Sequence, residues 1–428
     1  MDFNGKKISI LGGRSTGIQT ALFLKKRGAF VFLSELKEGK EFSEVKKTLA
    51  SNGISCEFGQ HSWEEIEKSE LIIVSPGIPP TAAIYQKIVK SGIPVWSEIE
   101  LAYRSTPAEI IAVTGSNGKT TVTTLIRDVL RASGRSVVSC GNIGNPFIGE
   151  VDQLTPETIA VVEVSSFQLT HIDQFRPHVA VLLNLSANHL DWHRSFEEYA
   201  EMKFRIFKNQ SSEDYSLINK SDFEKSDFER VRRAGKFPSK LIYFDGEGGP
   251  NPNYAAVREV ARLYQIDPTI TQSVLEGFSG LEHRFEDLGE IHDVRYINDS
   301  KSTTIASLAW ALERVVENSV LIAGGRHKGG DFHVLRDLVR KKVKFLIAIG
   351  EAKKEIENAF SDLVSVYLAD TLEEALRFAR GVTRPGETVL FSPACASFDM
   401  FQDYQDRGRQ FKNILSSWRG KLAVTPTR

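Results

Sequence analysis

Val113-Thr114-Gly115-Ser116-Asn117-Gly118-Lys119-Thr120-Thr121 joins an apolar run, Ile110-Ile111-Ala112-Val113, to a helix-like stretch, Val122–Ala132. A strand entering a helix through glycines turns backbone N–H groups toward one point. The helix N-terminus adds the positive end of its dipole, so the turn suits an anion. In that frame Lys119 reaches terminal phosphates and the Thr120 hydroxyl sits on Mg²⁺. The loop departs from the strict GxxxxGK[ST] form, because Val113 occupies the position of the first glycine and Gly115 serves at a shorter spacing. A GK[ST] triplet alone occurs by chance. Strand, two glycines, Lys-Thr-Thr and helix together favour ATP over a structural turn.

Outward from this loop, the strand-into-glycine pattern occurs twice more, at Lys7-Ile8-Ser9-Ile10-Leu11-Gly12-Gly13 and at Val320-Leu321-Ile322-Ala323-Gly324-Gly325. Apolar strands alternating with amphipathic helices predict an α/β protein with parallel sheets covered on both faces. Ser105-Thr106-Pro107 and Gly277–Gly280 are the plausible joints. The reading is three domains: Rossmann-like at 1–100, a P-loop ATPase-type parallel sheet at 101–280, and Rossmann-like again at 281–428. The polar segment Ser211–Lys240, with little periodicity, reads as a surface excursion of the middle domain.

Composition narrows the class. Basic and acidic residues number 54 and 55, which gives no electrostatic case for nucleic acid or an anionic membrane as main partner. Cys56, Cys140 and Cys395 are far apart, so reduced, buried thiols are expected. No leader-like segment and no run of eighteen apolar residues is found, and a cytoplasmic protein without stable membrane association is expected.

Other strands supply the groups a phosphate loop needs. Thr158–Val162 ends in Glu163, where a carboxylate could hold Mg²⁺ bridging the phosphates. Ala180–Leu185 ends in Ser186-Ala187-Asn188-His189-Leu190-Asp191-Trp192-His193, a polar cluster at a strand tip. His189 is its candidate site residue, while Asp191 and His193 either join it or orient the loop. At the N-terminus, Gly12-Gly13-Arg14-Ser15-Thr16-Gly17 is not GxGxxG, since Arg14 replaces the second glycine. That argues against a dinucleotide and suits a diphosphate on a helix N-terminus. His61, His171, His178, His292 and His333 lack supporting clusters and read as surface or satisfied core groups.

Taken together, TGSNGKTT, VVEVSSFQL, NLSANHLDWH, YAEMKFRIF, Gly280–Glu286 and Asn298–Thr304 resemble the Mur ligase family, in family order and over nearly the whole chain. That family also includes folylpolyglutamate synthase. Val74-Ser75-Pro76-Gly77-Ile78, Gly324–Phe332, and Ser392–Phe401 running on to Arg407–Phe411 resemble the member that adds D-glutamate to UDP-N-acetylmuramoyl-L-alanine.

The resemblance implies an ATP-dependent amide-bond ligase working through an acyl phosphate, with ATP and two Mg²⁺ sites. Gly115, Asn117, Gly118, Lys119, Thr120 and Thr121 would hold the phosphates, and Thr120, Glu163, His189 and Lys203 the metals. Lys203 matches the lysine that the family carbamylates, which turns a cation into an anionic oxygen ligand. Asn253 would meet adenine, although the family's leading His-Asn is missing here. Arg284 would meet phosphate, Asp299 the ribose, and Lys301 the transferring phosphoryl group. Thr303, Lys328, Ser397 and Phe398 would line the D-glutamate pocket. Ser15, Thr16, Ser34, Glu35, Ser75, Asn142, Ser165 and Gln168 would contact the UDP substrate, and a monomer is expected. A related ligase and an ATPase switch without bond formation are the competing readings. The strand-tip cluster around His189 speaks against a switch.

Overall fold

The computed structural model describes residues 1–185, 192–193, 195–223, 237–245, 252–278, 280–327 and 329–420. They form two compact units, Met1–Gly277 and Phe278–Arg428. The first unit carries two sheets that share one apolar core, in which Ile8, Leu33, Ile99, Phe147, Ala160 and Phe175 are all buried.

Its first sheet has the order Ser55–Phe58, Phe30–Glu35, Lys7–Leu11, Leu71–Val74, Val95–Trp96, every pair parallel. The second runs Lys240–Phe244, Tyr215–Asn219, Val179–Leu182, Glu109–Thr114, Ile159–Glu163, Val137–Gly141, again all parallel. The second unit holds Glu286–Ile291, Val294–Asn298, Thr388–Phe391, Ser319–Gly324, Val343–Ile349 and Ser365–Leu368 in that spatial order. Its strands are parallel except for the Glu286–Ile291/Val294–Asn298 edge pair, which is antiparallel.

Continuous apolar strands are what doubly covered parallel sheets require, and Ile159–Glu163 and Ser319–Gly324 are buried along their whole lengths. Each sheet reverses direction of winding beside a glycine turn. Lys7–Leu11 lies between Phe30–Glu35 and Leu71–Val74, and Glu109–Thr114 lies between Ile159–Glu163 and Val179–Leu182. Crevices at the carboxyl ends of strands open at such switch points, so topology alone directs Gly12 and Gly115 toward binding positions.

Two expectations are corrected. The segment Ser211–Lys240 is not wholly a surface excursion, because Tyr215–Asn219 is a strand of the second sheet with Ser216–Asn219 buried. Its sequence, YSLIN, has only two aliphatic residues and carries no strand signal of its own. The third sheet also has an antiparallel edge, where charged residues at Glu286, Asp287, Glu290 and Arg295 suit a half-solvated hairpin.

Glu100 ties the first unit together. Its buried carboxylate accepts N–H bonds from Asp173 (2.9 Å), Gln174 (3.0 Å) and Phe175 (2.8 Å), and from Arg104 Nε (2.5 Å). Removing it strands three backbone donors and leaves the Arg104 guanidinium with only Asp173 as an ion-pair partner among the described residues. Glu100→Ala should destabilise this unit by roughly 3 kcal/mol in chemical denaturation. A midpoint equal to wild type would show that water replaces the carboxylate.

Candidate functional site

Val113 is a fully buried strand residue, hydrogen-bonded in register on both sides, so the turn proper is only Gly115–Gly118. Gly115 (φ +151°) and Gly118 (φ +81°) supply backbone angles that side chains disfavour. The helix Lys119–Ala132 follows with Gly118 at its N-cap, so the positive end of its dipole lies at the turn. Lys119 Nζ folds over the turn and donates to the carbonyls of Gly115 (2.8 Å) and Ser116 (3.0 Å). Thr120 is buried in the first helical turn and Thr121 is half-buried beside it. A Cβ on Gly118 would lie 2.5 Å from Asn253 Oδ1, so Asn253, the adenine candidate, stands directly against the turn. Asn117 is exposed.

Glu163 ends its strand opposite Val113. One carboxylate oxygen accepts from Asn142 Nδ2 at 2.9 Å; the other is buried and has no hydrogen-bond partner among the described residues. Lys203, on the helix Phe196–Phe204, is buried too, with its Nζ 3.4 Å from Thr114 Oγ1 and 4.8 Å from the Tyr199 ring. Burial, and then the Lys119 cation, hold its pKa well below the usual lysine value, while Glu163 acts in the opposite sense. Among the described residues no three His, Cys, Asp or Glu side chains cluster as a metal cage. An orphaned carboxylate oxygen, a buried Thr120 and a phosphate turn instead fit Mg²⁺, which keeps waters and shares its coordination with substrate phosphates. His189 and Asp191 lie outside the described residues. His193 is buried, with Nε2 3.0 Å from Ser166 Oγ and its ring stacked on Phe167.

The glycine turn of the first sheet is equally tight. Gly12 (φ +108°) would place a Cβ 2.7 Å from the Ser75 side chain. Ser15 and Thr16 open the helix Ser15–Lys26, whose first acidic turn position is empty. Glu35 braces this turn by accepting from the N–H groups of Gly13 (2.7 Å) and Lys37 (2.9 Å). Ser34 is fully buried, hydrogen-bonded to Glu57 (2.7 Å) and His61 (2.6 Å). Ser165 caps the short helix Ser166–Leu169 in a reciprocal bond with Gln168, and both are buried. The remaining histidines have partners: His171 with Tyr85, His178 with Asp214, His333 with Asp331 and His292 with Arg380. Burial pushes His171 down to about 4.

In the second unit the carboxyl ends of Val294–Asn298, Thr388–Phe391 and Ser319–Gly324 present three segments side by side. Asp299 is buried, accepting from Ser392 Oγ (2.8 Å) and Phe285 N (3.0 Å); burial raises its pKa to about 7. Arg284 precedes Phe285, and Lys301 Nζ lies 3.7 Å from the Tyr404 ring centre. Arg407 is fully buried behind these segments, donating to Ser300 O (2.8 Å), Ser300 Oγ (3.1 Å) and Cys395 O (3.1 Å). Arg326 and Ala396 exchange two backbone hydrogen bonds of 2.9 Å, joining the Gly324–Phe332 and Ser392–Phe398 loops. Ser397 is buried, Phe398 half exposed and Thr303 half-buried. Lys328 lies outside the described residues. Arg407, Asn184 and Tyr199 were not read from the sequence as site residues. Asn184, the first polar residue after Val181-Leu182-Leu183, carried the available signal.

With this geometry in place, comparison with known proteins is decisive. Family models match in chain order: the MurD-like N-terminal domain of Mur ligases over residues 6–97, the Mur ligase middle domain over 113–259, and the Mur ligase glutamate ligase domain over 283–395. The chain belongs to the Mur ligase family. This Mur ligase is 37% identical to a UDP-N-acetylmuramoylalanine–D-glutamate ligase of Chloroherpeton thalassium, covering 97% of this chain and 98% of that one. It is 40% identical to the protein of that name from Chlorobaculum tepidum, at the same coverage. The crystal structure of the UDP-N-acetylmuramate–alanine ligase of Thermotoga maritima superposes with a TM-score of 0.58 at 18% identity, covering 96% of this chain and 99% of that one. The three-domain α/β architecture expected from the sequence is therefore that of the family.

Asp299 gives the site a pH signature. A carboxyl group raised from about 3.9 in the unfolded chain to about 7 in the fold binds its proton more tightly when folded. Its stabilising contribution is complete below about pH 4 and is lost as pH rises through about 7. Wild type should lose roughly 3 kcal/mol more than Asp299→Asn between pH 4.5 and 8, measured by denaturation of the ligand-free protein. Parallel stability curves for the two proteins would refute this.

Proposed function

We propose that this Mur ligase joins D-glutamate to UDP-N-acetylmuramoyl-L-alanine, forming ADP and phosphate, as a monomer in the cytoplasmic synthesis of peptidoglycan precursors. The observation that carries the reading is the 37–40% identity, over nearly full length, to ligases named for that reaction. The reading divides the chain into a UDP-substrate domain at 1–100, an ATP domain at 101–280 and an amino-acid domain at 281–428. Among the described residues no helix is long and apolar enough to cross a membrane.

A carboxylate does not acylate an amine at neutral pH, so it is first activated. The L-alanyl carboxylate attacks the γ-phosphorus of ATP, ADP leaves, and an acyl phosphate results. The D-glutamate amine then attacks the acyl carbon; the C–O bond to phosphate breaks and the nitrogen gives up its proton. The described residues suit these steps by positioning and charge rather than by covalent chemistry. Lys119 and the N–H groups opening its helix would neutralise the transferring phosphoryl group. Bound Mg²⁺ would supply further charge neutralisation there, held by Thr120 and Glu163 at one position and by His189 and Lys203 at a second. Arg284, Asp299 and Lys301 would meet the nucleotide, and Thr303, Lys328, Ser397 and Phe398 would take D-glutamate.

Phosphate release with UDP-N-acetylmuramoyl-L-alanine, comparing D-glutamate, L-glutamate, D-aspartate and meso-diaminopimelate, tests the reading. D-glutamate should exceed every other amino acid by at least about 100-fold in kcat/KM, and Lys119→Ala should abolish release. Release with folate and glutamate but not with the UDP substrate would overturn it.

Lys203 is proposed to act as its carbamate. Only a neutral amine attacks CO₂, and burial beside Lys119 favours that form. Lys203→Ala should lose activity at least about 1,000-fold and regain part of it with added short carboxylates, which replace the anionic oxygen. Wild-type activity in Lys203→Ala would refute the metal role.

A further inference from the structure

The phosphate turn lacks the first glycine of the strict motif, and something else must hold four residues in a tight arc. The structure supplies it from the neighbouring strand. Where the ladder between Glu109–Thr114 and Val179–Leu182 ends, Leu183 N still donates to Thr114 O (3.0 Å), and Ser116 N donates to Asn184 O (2.9 Å). The Asn184 side chain then continues the pairing. Its Oδ1 accepts from Asn117 N (2.8 Å) and its Nδ2 donates to Asn117 O (3.0 Å), so one amide closes on both polar groups of one backbone residue. A Cβ on Gly115 would lie 3.0 Å from Leu183 Cβ and 3.3 Å from Asn184 N, which shows how closely the two segments approach.

We propose that Asn184 is the positioning residue of the phosphate turn, replacing by a side-chain amide clamp the shape that a further glycine provides elsewhere. This rests on the reading of the turn as an ATP site. The clamp has a definite consequence for the ligand. The Asn117 N–H is spent on Asn184 and is not offered to a phosphate. A side-chain amide is suited to this task because it offers a donor and an acceptor at the spacing of a peptide group. Alanine loses both bonds. Aspartate keeps the acceptor for Asn117 N but sets an anionic oxygen against Asn117 O.

Turn preorganisation should be read in nucleotide affinity and not in the rest of the molecule. Calorimetric titration of the full chain with ADP and Mg²⁺, and separately with UDP-N-acetylmuramoyl-L-alanine, tests this in wild type, Asn184→Ala and Asn184→Asp. Both variants should bind ADP at least about 10-fold more weakly, the loss expected from two modest hydrogen bonds and a freed turn. Binding of the UDP substrate should stay within about twofold, with KM for ATP raised and KM for the amino acid unchanged. Asn184→Asp, closest in shape, carries the test if the alanine variant does not fold. ADP affinity within twofold of wild type in either folded variant overturns the proposal. So does a parallel loss of both ligands with a lowered melting temperature, which would make Asn184 a residue of the fold. Wild type that binds no ADP would instead overturn the ATP reading itself.

Discussion

Two lysines and one glutamate meet at the carboxyl end of the Glu109–Thr114 sheet, and their crowding governs the site. Lys203 is buried beside the Lys119 cation, and Glu163 has one oxygen with no partner among the described residues. Taken alone such a cluster penalises the charged form of Lys203, because burial and a neighbouring cation both favour its neutral amine. It makes sense as an arrangement to be completed by phosphate anions and a divalent cation, whose charges exceed anything the side chains carry. Until then Lys119 rests on the carbonyls of its own turn, where nucleotide phosphates would take their place.

Topology brings these groups together without any of them being close in sequence. Gly115, Glu163 and Asn184 lie at the carboxyl ends of three adjacent parallel strands, and a parallel sheet sends all its carboxyl ends to the same edge. The same logic sets Asp299, Gly324 and Ser392 side by side in the second unit. Each chemical group therefore needs only to be the first polar residue after an apolar strand.

That rule explains what could be read from the sequence. Gly115–Thr121 and Glu163 announce themselves because a polar residue ends a buried run. The three strand-into-glycine turns gave the α/β class for the same reason. Tyr215–Asn219 escaped because Ser216 and Asn219 are buried by hydrogen bonding rather than by hydrophobicity, Ser216 through Gln210 and Ser239. Arg407 escaped because nothing local separates a fully buried arginine from a solvated one on a charged helix; its partner Ser300 comes from far along the chain. The resemblance to a family assigned roles to Lys203 and Lys301 that their own surroundings in sequence do not suggest.

The paired backbone bonds between Arg326 and Ala396 have an evolutionary consequence. Two loops, more than sixty positions apart, are locked edge to edge, so neither can be reshaped alone. A lineage that altered one loop would displace the other, and substitutions in the two should be inherited in concert. Bonds made by main chain leave side chains free to vary: the register persists while the chemistry it presents drifts. Swapping both loops as one cassette between relatives is then the natural unit of exchange, and swapping either one singly is a mismatch.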